Sequence, residues 1–243
     1  MRALLAVVEK VAPLTVPVCV IGEPGTGRGL IARAIHFNSP RSNRPFVEVD
    51  CAAIPARPVH LSPGAAHPSR VIAKASTGTL FIDHVAEMPA RLQARVLSLV
   101  RSPAFRRPAE TKPTRNDVRL ITATTAGLET AVAAGRFRED LYYSIRVVSI
   151  HVPPLRERKE DIPVLVDHFL RRSTLLHGRT HRALSRRALD FLVDYSWPGN
   201  VRQLEEGIER AVVMAKGSVI DLPLLAESCA RTVAGPDRPQ PAP

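Results

Sequence analysis

The sequence predicts an α/β fold, a doubly wound parallel sheet followed by a smaller helical domain. Short apolar segments alternate with segments of helical periodicity over residues 1–155, and this alternation is typical of a parallel sheet with helices on both faces. After residues 153–154, which are both proline, the periodic segments are all helical. We therefore expect an α/β domain over residues 1–155, a helical domain over 156–223 and a Pro-rich, disordered tail over 224–243.

The individual elements are predicted from apolar spacing in chain order. An amphipathic helix opens the chain, because apolar residues recur at helical spacing between residues 4 and 11. Pro89 precedes a later helical segment and is favourable in the first turn of a helix. Strands are predicted at 16–21, 46–49, 79–83, 118–123 and 147–150, and further helices at 30–36, 90–100, 162–176, 185–195 and 200–215.

Composition restricts the class of protein. The 243 residues are 45% hydrophobic and 23% charged, as in soluble globular proteins. No apolar segment reaches the length of a membrane span, and Glu9 and Lys10 interrupt the N-terminal apolar stretch, so we expect a cytoplasmic protein. The three cysteines have neither disulfide nor metal spacing, and Cys19 is predicted to be a small core residue of the first strand.

The net charge of +11 favours acidic partners such as nucleotide or nucleic acid. The arginines are scattered, however. Binding of single-stranded nucleic acid would require aromatic residues interleaved with the arginine pairs, and the sequence lacks this pattern. We therefore interpret most of the excess of basic residues as a coding bias. The sequence does not support direct DNA binding.

The most informative segment is GEPGTGRG at residues 22–29, a glycine-rich turn between a predicted strand and a predicted helix. In that context the pattern G-x-x-x-x-G-K-[ST] indicates a nucleotide-binding phosphate loop. The glycines let backbone N–H groups approach phosphate oxygens, and the helix N-terminus adds partial positive charge. The alternative is a glycine-rich turn without a ligand. The predicted binding residues of the loop are Gly22, Glu23, Pro24, Gly25, Thr26, Gly27, Arg28 and Gly29.

A phosphate loop also needs a partner for magnesium. In P-loop nucleotidases this is an acidic residue at the end of an apolar strand. Asp83 ends the predicted strand 79–83, and the carboxyl ends of strands are where open α/β sheets bind ligands. The predicted cofactors are therefore ATP and Mg²⁺, with Asp83 as the metal ligand. The alternative for Asp83 is a solvated acid at a strand end.

Seven motifs follow in order: GEPGTGRGLIARAIH, PFVEVDCAAIP, TGTLFIDHVAEMP, VRLITATT, GRFREDLYY, VPPLRERKEDIP and WPGNVRQLE. In these motifs the chain resembles the central AAA+ ATPase domain of the sigma-54-dependent transcription activators, the bacterial enhancer-binding proteins. The resemblance covers residues 1 to about 223. It implies a P-loop AAA+ fold with a C-terminal helical lid domain. It also implies a ring-forming ATPase that binds nucleotide between subunits and remodels sigma-54 RNA polymerase.

Three positions of the nucleotide site depart from the family pattern. Arg28 replaces the lysine that reaches the phosphates, and a planar guanidinium is not equivalent to an ammonium at a tight site. Gly29 stands where the family usually has Glu. His84 replaces the carboxylate that polarises the attacking water, a role worth roughly 10²–10⁴ in rate. Neutral imidazole accepts protons, so His84 is either a substitute base or a structural histidine. We expect Asp83 and His84 to support slow hydrolysis or none.

The subunit interface and the lid supply the remaining candidates. Arg138 matches one of two family arginines offered to a neighbour's nucleotide, and such a finger is worth roughly 10³–10⁵ in kcat. The alternative for Arg138 is a salt bridge to an adjacent acid, Glu139 or Asp140. Ser144 occupies the position of the family's second arginine. Thr125 occupies the position at which the family usually has the sensor asparagine or histidine. Arg202 matches the lid arginine that senses the γ-phosphate.

Family members that serve sigma-54 carry a GAFTGA loop between the second and third strands. The corresponding interval, residues 56–76, is shorter here, and only residues 63–66 resemble the motif. We therefore expect a regulator that binds ATP, hydrolyses it poorly and does not remodel sigma-54 in the ordinary way. Its expected partners are copies of itself or relatives in a ring, without a membrane and without a DNA-binding domain in this chain. The alternatives are an active ATPase that activates sigma-54 RNA polymerase, and a non-enzymatic interaction module.

Overall fold

The computed structural model describes residues 1–54, 74–101, 104–105, 114–115, 117–125, 127–178, 183–215 and 217–232. The chain divides into two compact units. The sheet unit comprises Arg2–Gly22 and Arg28–Val152. The helical unit comprises Met1, Glu23–Gly27 and the chain from Pro153 onward.

The sheet unit contains a five-stranded parallel sheet with the order β2-β3-β6-β1-β7. The predicted α/β class is thereby confirmed. A separate antiparallel pair joins β4 to β5, which are too short to give a periodic signal in the sequence. The strands are β1 (Val18–Ile21), β2 (Phe46–Asp50), β3 (Thr79–Asp83), β4 (Ala104–Phe105), β5 (Thr114–Arg115), β6 (Arg119–Thr124) and β7 (Val148–His151).

Five α-helices accompany these strands among the described residues. Two of them, the six-residue α4 and the seven-residue α5, were not predicted, because neither completes the two turns that a periodic pattern needs. The helices are α1 (Arg2–Val11), α2 (Arg28–Phe37), α3 (Ala90–Arg101), α4 (Leu128–Ala133) and α5 (Glu139–Ile145).

The interior strands β3 and β6 are the most buried of the sheet, as expected of parallel strands that are covered on both faces. Cys19, predicted to be a core residue, is fully buried in β1. Arg119 is also buried, and its guanidinium donates hydrogen bonds to the carbonyl oxygens of Val11 and Ala12 at the end of α1, at 2.9 and 2.6 Å. This arginine therefore fastens the first helix to the sheet.

The register of the sheet brings two acids together at its carboxyl edge. Asp50 ends β2, Asp83 ends β3, and the two residues are paired across the parallel ladder. The backbone N–H of Cys51 donates to the carbonyl of Asp83 and extends this pairing by one residue. The sheet thus places two carboxylates side by side beyond the strand ends.

The helical unit packs four helices around a second apolar core. Trp197 is fully buried at its centre, and its indole N–H donates to the carbonyl of Leu192 at 2.8 Å. A short parallel pair of strands, β8 (Ala183–Leu184) and β9 (Val219–Ile220), was not expected, because each strand has only two residues. The helices are α6 (Ile162–Leu176), α7 (Arg186–Asp194), α8 (Asn200–Met214) and α9 (Leu222–Thr232).

Helix α9 differs from the expectation of a disordered tail from residue 224. Its apolar residues include Leu225 and Cys229, which are fully buried against the second core. The Pro-rich composition that suggested disorder belongs to residues 233–243, which lie outside the described part of the chain. Within the part that the structure describes, no helix is long and apolar enough to cross a membrane.

Candidate functional site

The phosphate-loop segment links β1 to α2 in a strand–loop–helix path. The backbone N–H of Gly22 bonds to the carbonyl of Thr124, so the loop leaves the sheet beside β6. Gly25 and Gly27 have φ of 76° and 97°, which lie in the region that favours glycine. Thr26 closes a turn by donating its hydroxyl to the carbonyl of Glu23 at 2.8 Å. Gly25 and Gly27 therefore stand where the backbone favours glycine.

Arg28 is the first residue of α2 and is 5% exposed. Its Nη1 donates to the carbonyl of Gly22 at 2.7 Å, and its Nη2 donates to Oδ1 of Asp83 at 3.1 Å. Nη2 also lies 3.3 Å from Nε2 of His84. Its Nε is buried without a hydrogen-bond partner. The guanidinium thus pairs directly with the acid that the sequence assigned to the metal.

His84 follows Asp83 with a left-handed backbone, φ 51° and ψ 43°. Its N–H donates to Oδ1 of Asp83 at 2.8 Å, and its Nδ1 lies 2.7 Å from Oδ1 of Asp50. Arginine has no acceptor, so Nε2 of His84 must accept from Arg28. The proton of the neutral ring then sits on Nδ1 and is donated to Asp50. In this arrangement the lone pair on Nε2 is already taken and is not free to accept a proton from water.

Asp50 was not among the residues predicted for the site. The signal for it is present in the sequence, since FVEVD ends in an acid just as TLFID does. The alternating exposure of β2 marks it as an edge strand, and the register to β3 emerges only in the folded sheet. Asp50 is therefore a residue that orients His84.

Within the helical unit, Glu23 is bound from two sides. Arg156 donates to both carboxylate oxygens, at 2.8 and 2.6 Å. The side-chain amide of the fully buried Asn200 donates to Glu23 at 3.1 Å and to the carbonyl of Pro24 at 3.0 Å, while its oxygen accepts from the N–H of Leu155 at 2.8 Å. The hydrogen bonds from Arg156, and then from Asn200, lower the pKa of Glu23 to about 2.

The segment Glu23–Gly27 is also held through its backbone. The carbonyl of Gly25 accepts from the N–H groups of Val201 and Arg202 at the start of α8, at 3.0 and 3.3 Å. Arg158, which is 4% exposed, donates to the carbonyl of Thr26 at 2.9 Å. The side chain of Arg202, predicted to sense the γ-phosphate, is exposed. Arg156, Arg158 and Asn200 lie inside the quoted motifs, but their pairing with the loop has no signal in the sequence.

Comparison with known proteins identifies the family. Residues 1–62 and 63–151 match the model of the sigma-54 interaction domain, and residues 156–241 match the model of the AAA+ ATPase lid domain. The chain belongs to the sigma-54 interaction domain family. The family that the sequence motifs indicated is therefore confirmed.

The relatives of this sigma-54 interaction domain are transcriptional regulators. It is 41% identical over 221 residues to the transcriptional regulatory protein XylR of Pseudomonas putida, covering 87% of this chain and 39% of XylR. It is 42% identical over 230 residues to the Nif-specific regulatory protein of Herbaspirillum seropedicae, covering 90% of this chain and 42% of that protein. The chain thus spans less than half the length of these two relatives.

A solved relative shares the fold. The crystal structure of NtrX from Brucella abortus in complex with ATP superimposes with a TM-score of 0.82 and 35% identity, over 94% of this chain and 55% of that one. The predicted AAA+ arrangement of an α/β domain with a lid is confirmed by this likeness together with the lid-domain match.

The interface candidates of this sigma-54 interaction domain lie on and near α5. Arg138 is half exposed and binds both carboxylate oxygens of Asp140, at 3.0 and 2.9 Å. The salt-bridge alternative is thus formed here with Asp140, and a role toward a neighbour stays a prediction. The hydroxyl of Ser144 bonds within the helix to the carbonyl of Asp140 and supplies no charge. Thr125 lines a small cavity with Glu129, among others.

The residues around Asp83 do not fit a magnesium site in the form the sequence suggested. Magnesium prefers oxygen ligands in octahedral geometry, and in P-loop nucleotidases a Ser or Thr hydroxyl supplies one of them. Gly29 offers neither that hydroxyl nor the carboxylate of the Glu that the family usually has there, and Oδ1 of Asp83 accepts from both Arg28 and the N–H of His84. Among the described residues, no cluster of three or more His, Cys, Asp or Glu that would hold a metal occurs.

The expected absence of the GAFTGA loop concerns residues 56–76. Of these, residues 56–73 lie outside the described part of the chain. That expectation therefore stays a prediction from the sequence.

Proposed function

We propose that this chain is a transcription regulator of the sigma-54 interaction type that binds ATP on the loop 22–29 and hydrolyses it slowly or not at all. The strand–loop–helix path carries the binding half of the proposal. Gly25 and Gly27 adopt positive φ, which lets successive backbone N–H groups turn toward one anion. Arg28 adds a permanent positive charge at the start of α2. NtrX, which shares this fold, was crystallised with ATP.

The contacts of His84 with Arg28 and Asp50 support the proposal that hydrolysis is slow or absent. A general base must reach the attacking water with a free lone pair. Nε2 of His84 faces Arg28, and Nδ1 faces Asp50. Neither ring nitrogen is available without breaking a contact, so we expect a base weaker than the carboxylate that the family resemblance implies.

The proposal includes assembly into a homo- or hetero-oligomeric ring. Arg138 is exposed, and its partner Asp140 lies on the same surface. A surface ion pair of this kind is weak in water, so phosphate oxygens on a neighbouring subunit are able to replace Asp140. In a mixed ring Arg138 would then serve a competent relative even where the chain's own site is idle.

Nucleotide binding is tested by thermal unfolding of the purified chain with and without ATP. A ligand at about 100 times its Kd adds roughly 2.7 kcal/mol to the free energy of unfolding. Arg28→Ala should abolish this increase, whereas the matched control Arg33→Ala should keep it, because Arg33 is an exposed residue of the same helix paired with Glu48. Lack of any stabilisation by ATP in the unmodified chain would favour the non-enzymatic interaction module.

Hydrolysis is tested by phosphate release, measured on the chain alone and mixed with an intact family member. Slow release by the chain alone is expected. Turnover equal to that of the intact relative would overturn this half of the proposal and favour an active ATPase. In the mixture we expect the unmodified chain to stimulate phosphate release by the intact family member. Arg138→Ala should lose this stimulation, whereas the exposed control Arg136→Ala should keep it.

A further inference from the structure

We infer that ATP binds to this chain without needing a divalent cation, because the Arg28 guanidinium occupies Asp83, the acid that would otherwise hold the metal. This inference rests on the proposal that the loop 22–29 binds nucleotide. It concerns the charge that neutralises the phosphates, and it follows from contacts made within the sheet unit.

The guanidinium of Arg28 has three nitrogens with different environments. Nη1 donates to the carbonyl of Gly22, and Nη2 donates to Asp83. Nε is buried and has no acceptor. Buried polar groups in folded proteins are nearly always paired, so an orphaned donor calls for a partner. A phosphate oxygen is a suitable acceptor for an N–H of this charged group. Arg28 is therefore able to keep Asp83 and still offer one donor to a phosphate.

Displacing Arg28 from Asp83 would be costly. Arg28 is 5% exposed, and Asp83 is its charged partner in the structure. Asp83 is 21% exposed, so the pair is only partly buried, but separating its partners still leaves the nearly buried guanidinium without its compensating charge. A divalent cation at Asp83 would also stand beside the buried guanidinium and be repelled by it. The ion pair between Arg28 and Asp83 therefore disfavours the binding of a divalent cation at Asp83.

His84 and Asp50 hold the guanidinium from a second side. Nη2 of Arg28 donates to Nε2 of His84, whose opposite nitrogen is fixed by Asp50. Asp50 is further committed by accepting from the N–H of Ala52 at 3.0 Å. The oxygens identified in these contacts are thus already in use as acceptors. Because Gly29 adds no side-chain oxygen, the donor set suits a fixed guanidinium better than a metal.

The inference is tested by titrating ATP into the full chain by calorimetry, once with MgCl₂ and once with EDTA at the same ionic strength. We expect the two Kd values to agree within about threefold, whereas a Kd in EDTA weaker by about tenfold or more would overturn the inference. Absence of heat in both buffers would instead contradict the proposed nucleotide binding itself. The two proposals therefore fail in distinguishable ways.

Two variants sharpen the test. Arg28→Lys has one nitrogen and cannot contact both Gly22 and Asp83 in the same way, so we expect a preference for the magnesium buffer of about tenfold. The control Arg33→Lys should bind alike in both buffers. Arg28→Lys that binds equally well without magnesium would count against the role of the guanidinium.

Asp83→Asn gives an independent measurement if Arg28→Lys does not fold. The carboxamide oxygen of the variant still accepts from Arg28, but the negative charge that compensates the guanidinium is gone. ATP affinity in EDTA should therefore be unchanged or tighter. A loss of affinity confined to the magnesium buffer would show that Asp83 holds a metal in the unmodified chain, and the inference would be wrong.

Discussion

His84 and Asp50 are joined by a hydrogen bond of 2.7 Å between Nδ1 and Oδ1 at the carboxyl edge of the sheet. Together with the contact of Arg28 to Nε2, this bond fixes which ring nitrogen carries the proton. We predict that the neutral ring of His84 is the Nδ1–H tautomer in the folded chain. Nitrogen chemical shifts of labelled histidine measure the tautomer directly.

The matching variant is Asp50→Ala, which removes the acceptor of the Nδ1 proton. The fraction of the Nε2–H tautomer should rise in this variant. The unrelated His177, which pairs with Glu209 in the helical unit, should keep its spectrum. Finding the Nε2–H form in the unmodified chain would contradict the proposed direction of the Arg28 hydrogen bond.

A second prediction concerns the chemistry of the site. The double variant Arg28→Lys with His84→Glu replaces both departures from the family pattern. The glutamate cannot donate to Asp50 and has a free carboxylate, while the lysine no longer spans Gly22 and Asp83. We expect phosphate release to increase by roughly 10²-fold, the lower range for a positioned general base.

This comparison needs a control for folding as well as for rate. Arg33→Lys with His177→Glu changes the same residue types at exposed positions and should leave the rate unchanged. If the double variant at Arg28 and His84 folds, binds ATP and is no faster than the unmodified chain, then these two positions do not limit hydrolysis.

A third prediction concerns stability. Arg119 is 1% exposed and is the donor to the last carbonyls of α1. Arg119→Met removes both hydrogen bonds and leaves buried acceptors unpaired, so the free energy of unfolding should fall by roughly 1.5–3 kcal/mol. Chemical denaturation measures this. Arg136→Met, at an exposed position of the same unit, should stay within about 0.5 kcal/mol. Equal effects of the two substitutions would refute the role of Arg119.

A fourth prediction concerns pH. Burial lowers the pKa of His36, whose Nδ1 lies 2.9 Å from the hydroxyl of Thr79. The unfolded chain therefore binds the proton at a higher pH than the folded chain, and stability must fall as the pH drops through the unfolded value of about 6.5. Glu23, with its pKa of about 2, loses its contribution only below the unfolded value of 4.5.

The two groups are thus separable by pH range. The denaturant concentration at the unfolding midpoint should decrease as the pH is lowered from about 7.5 to 5.5 in the unmodified chain. In His36→Gln it should decrease less. His168→Gln, a change in the helical unit, serves as the control. Parallel pH profiles for the unmodified chain and His36→Gln would contradict the prediction.

The sequence predicted the sheet well because its signal is local. The runs at β1, β3 and β6 are apolar, and their alternation with helical segments indicates a parallel sheet. The strand order was not predicted and is known only from the folded sheet. Helices α4 and α5 were missed because six or seven residues make fewer than two full turns. Helix α9 was missed because the nearby prolines dominated the composition of the segment.

The site was only partly predictable for a different reason. The motifs placed Arg28 and Asp83 at conventional positions, each with its own role. Their direct ion pair depends on side-chain rotamers and on the register that sets Asp50 beside Asp83. Likewise, no local pattern indicates that Asn200 reaches Glu23 across 177 positions. Contacts of this kind arise from the fold and not from spacing in the chain.

The final prediction uses two glycines with similar backbone angles. Gly25 has φ 76°, and a Cβ atom there would lie 2.2 Å from the carbonyl oxygen of Gly199. Gly135 has φ 67°, and a Cβ atom there would meet nothing within 4 Å. Both alanine variants carry the cost of a left-handed residue, roughly 1–2 kcal/mol. Only Gly25→Ala must also push the loop away from the start of α8.

We therefore expect Gly25→Ala to lose ATP binding by about tenfold or more, a shift of at least about 1.4 kcal/mol, while Gly135→Ala binds as the unmodified chain does. Calorimetry gives the Kd values, and hydrogen exchange should show faster exchange of the N–H groups of Val201 and Arg202, which bond to Gly25, in Gly25→Ala alone. Since both substitutions impose the same backbone strain, an equal loss of affinity would mean that strain anywhere in the chain weakens binding. The position of the Gly25 carbonyl against α8 would then have no part in holding the loop.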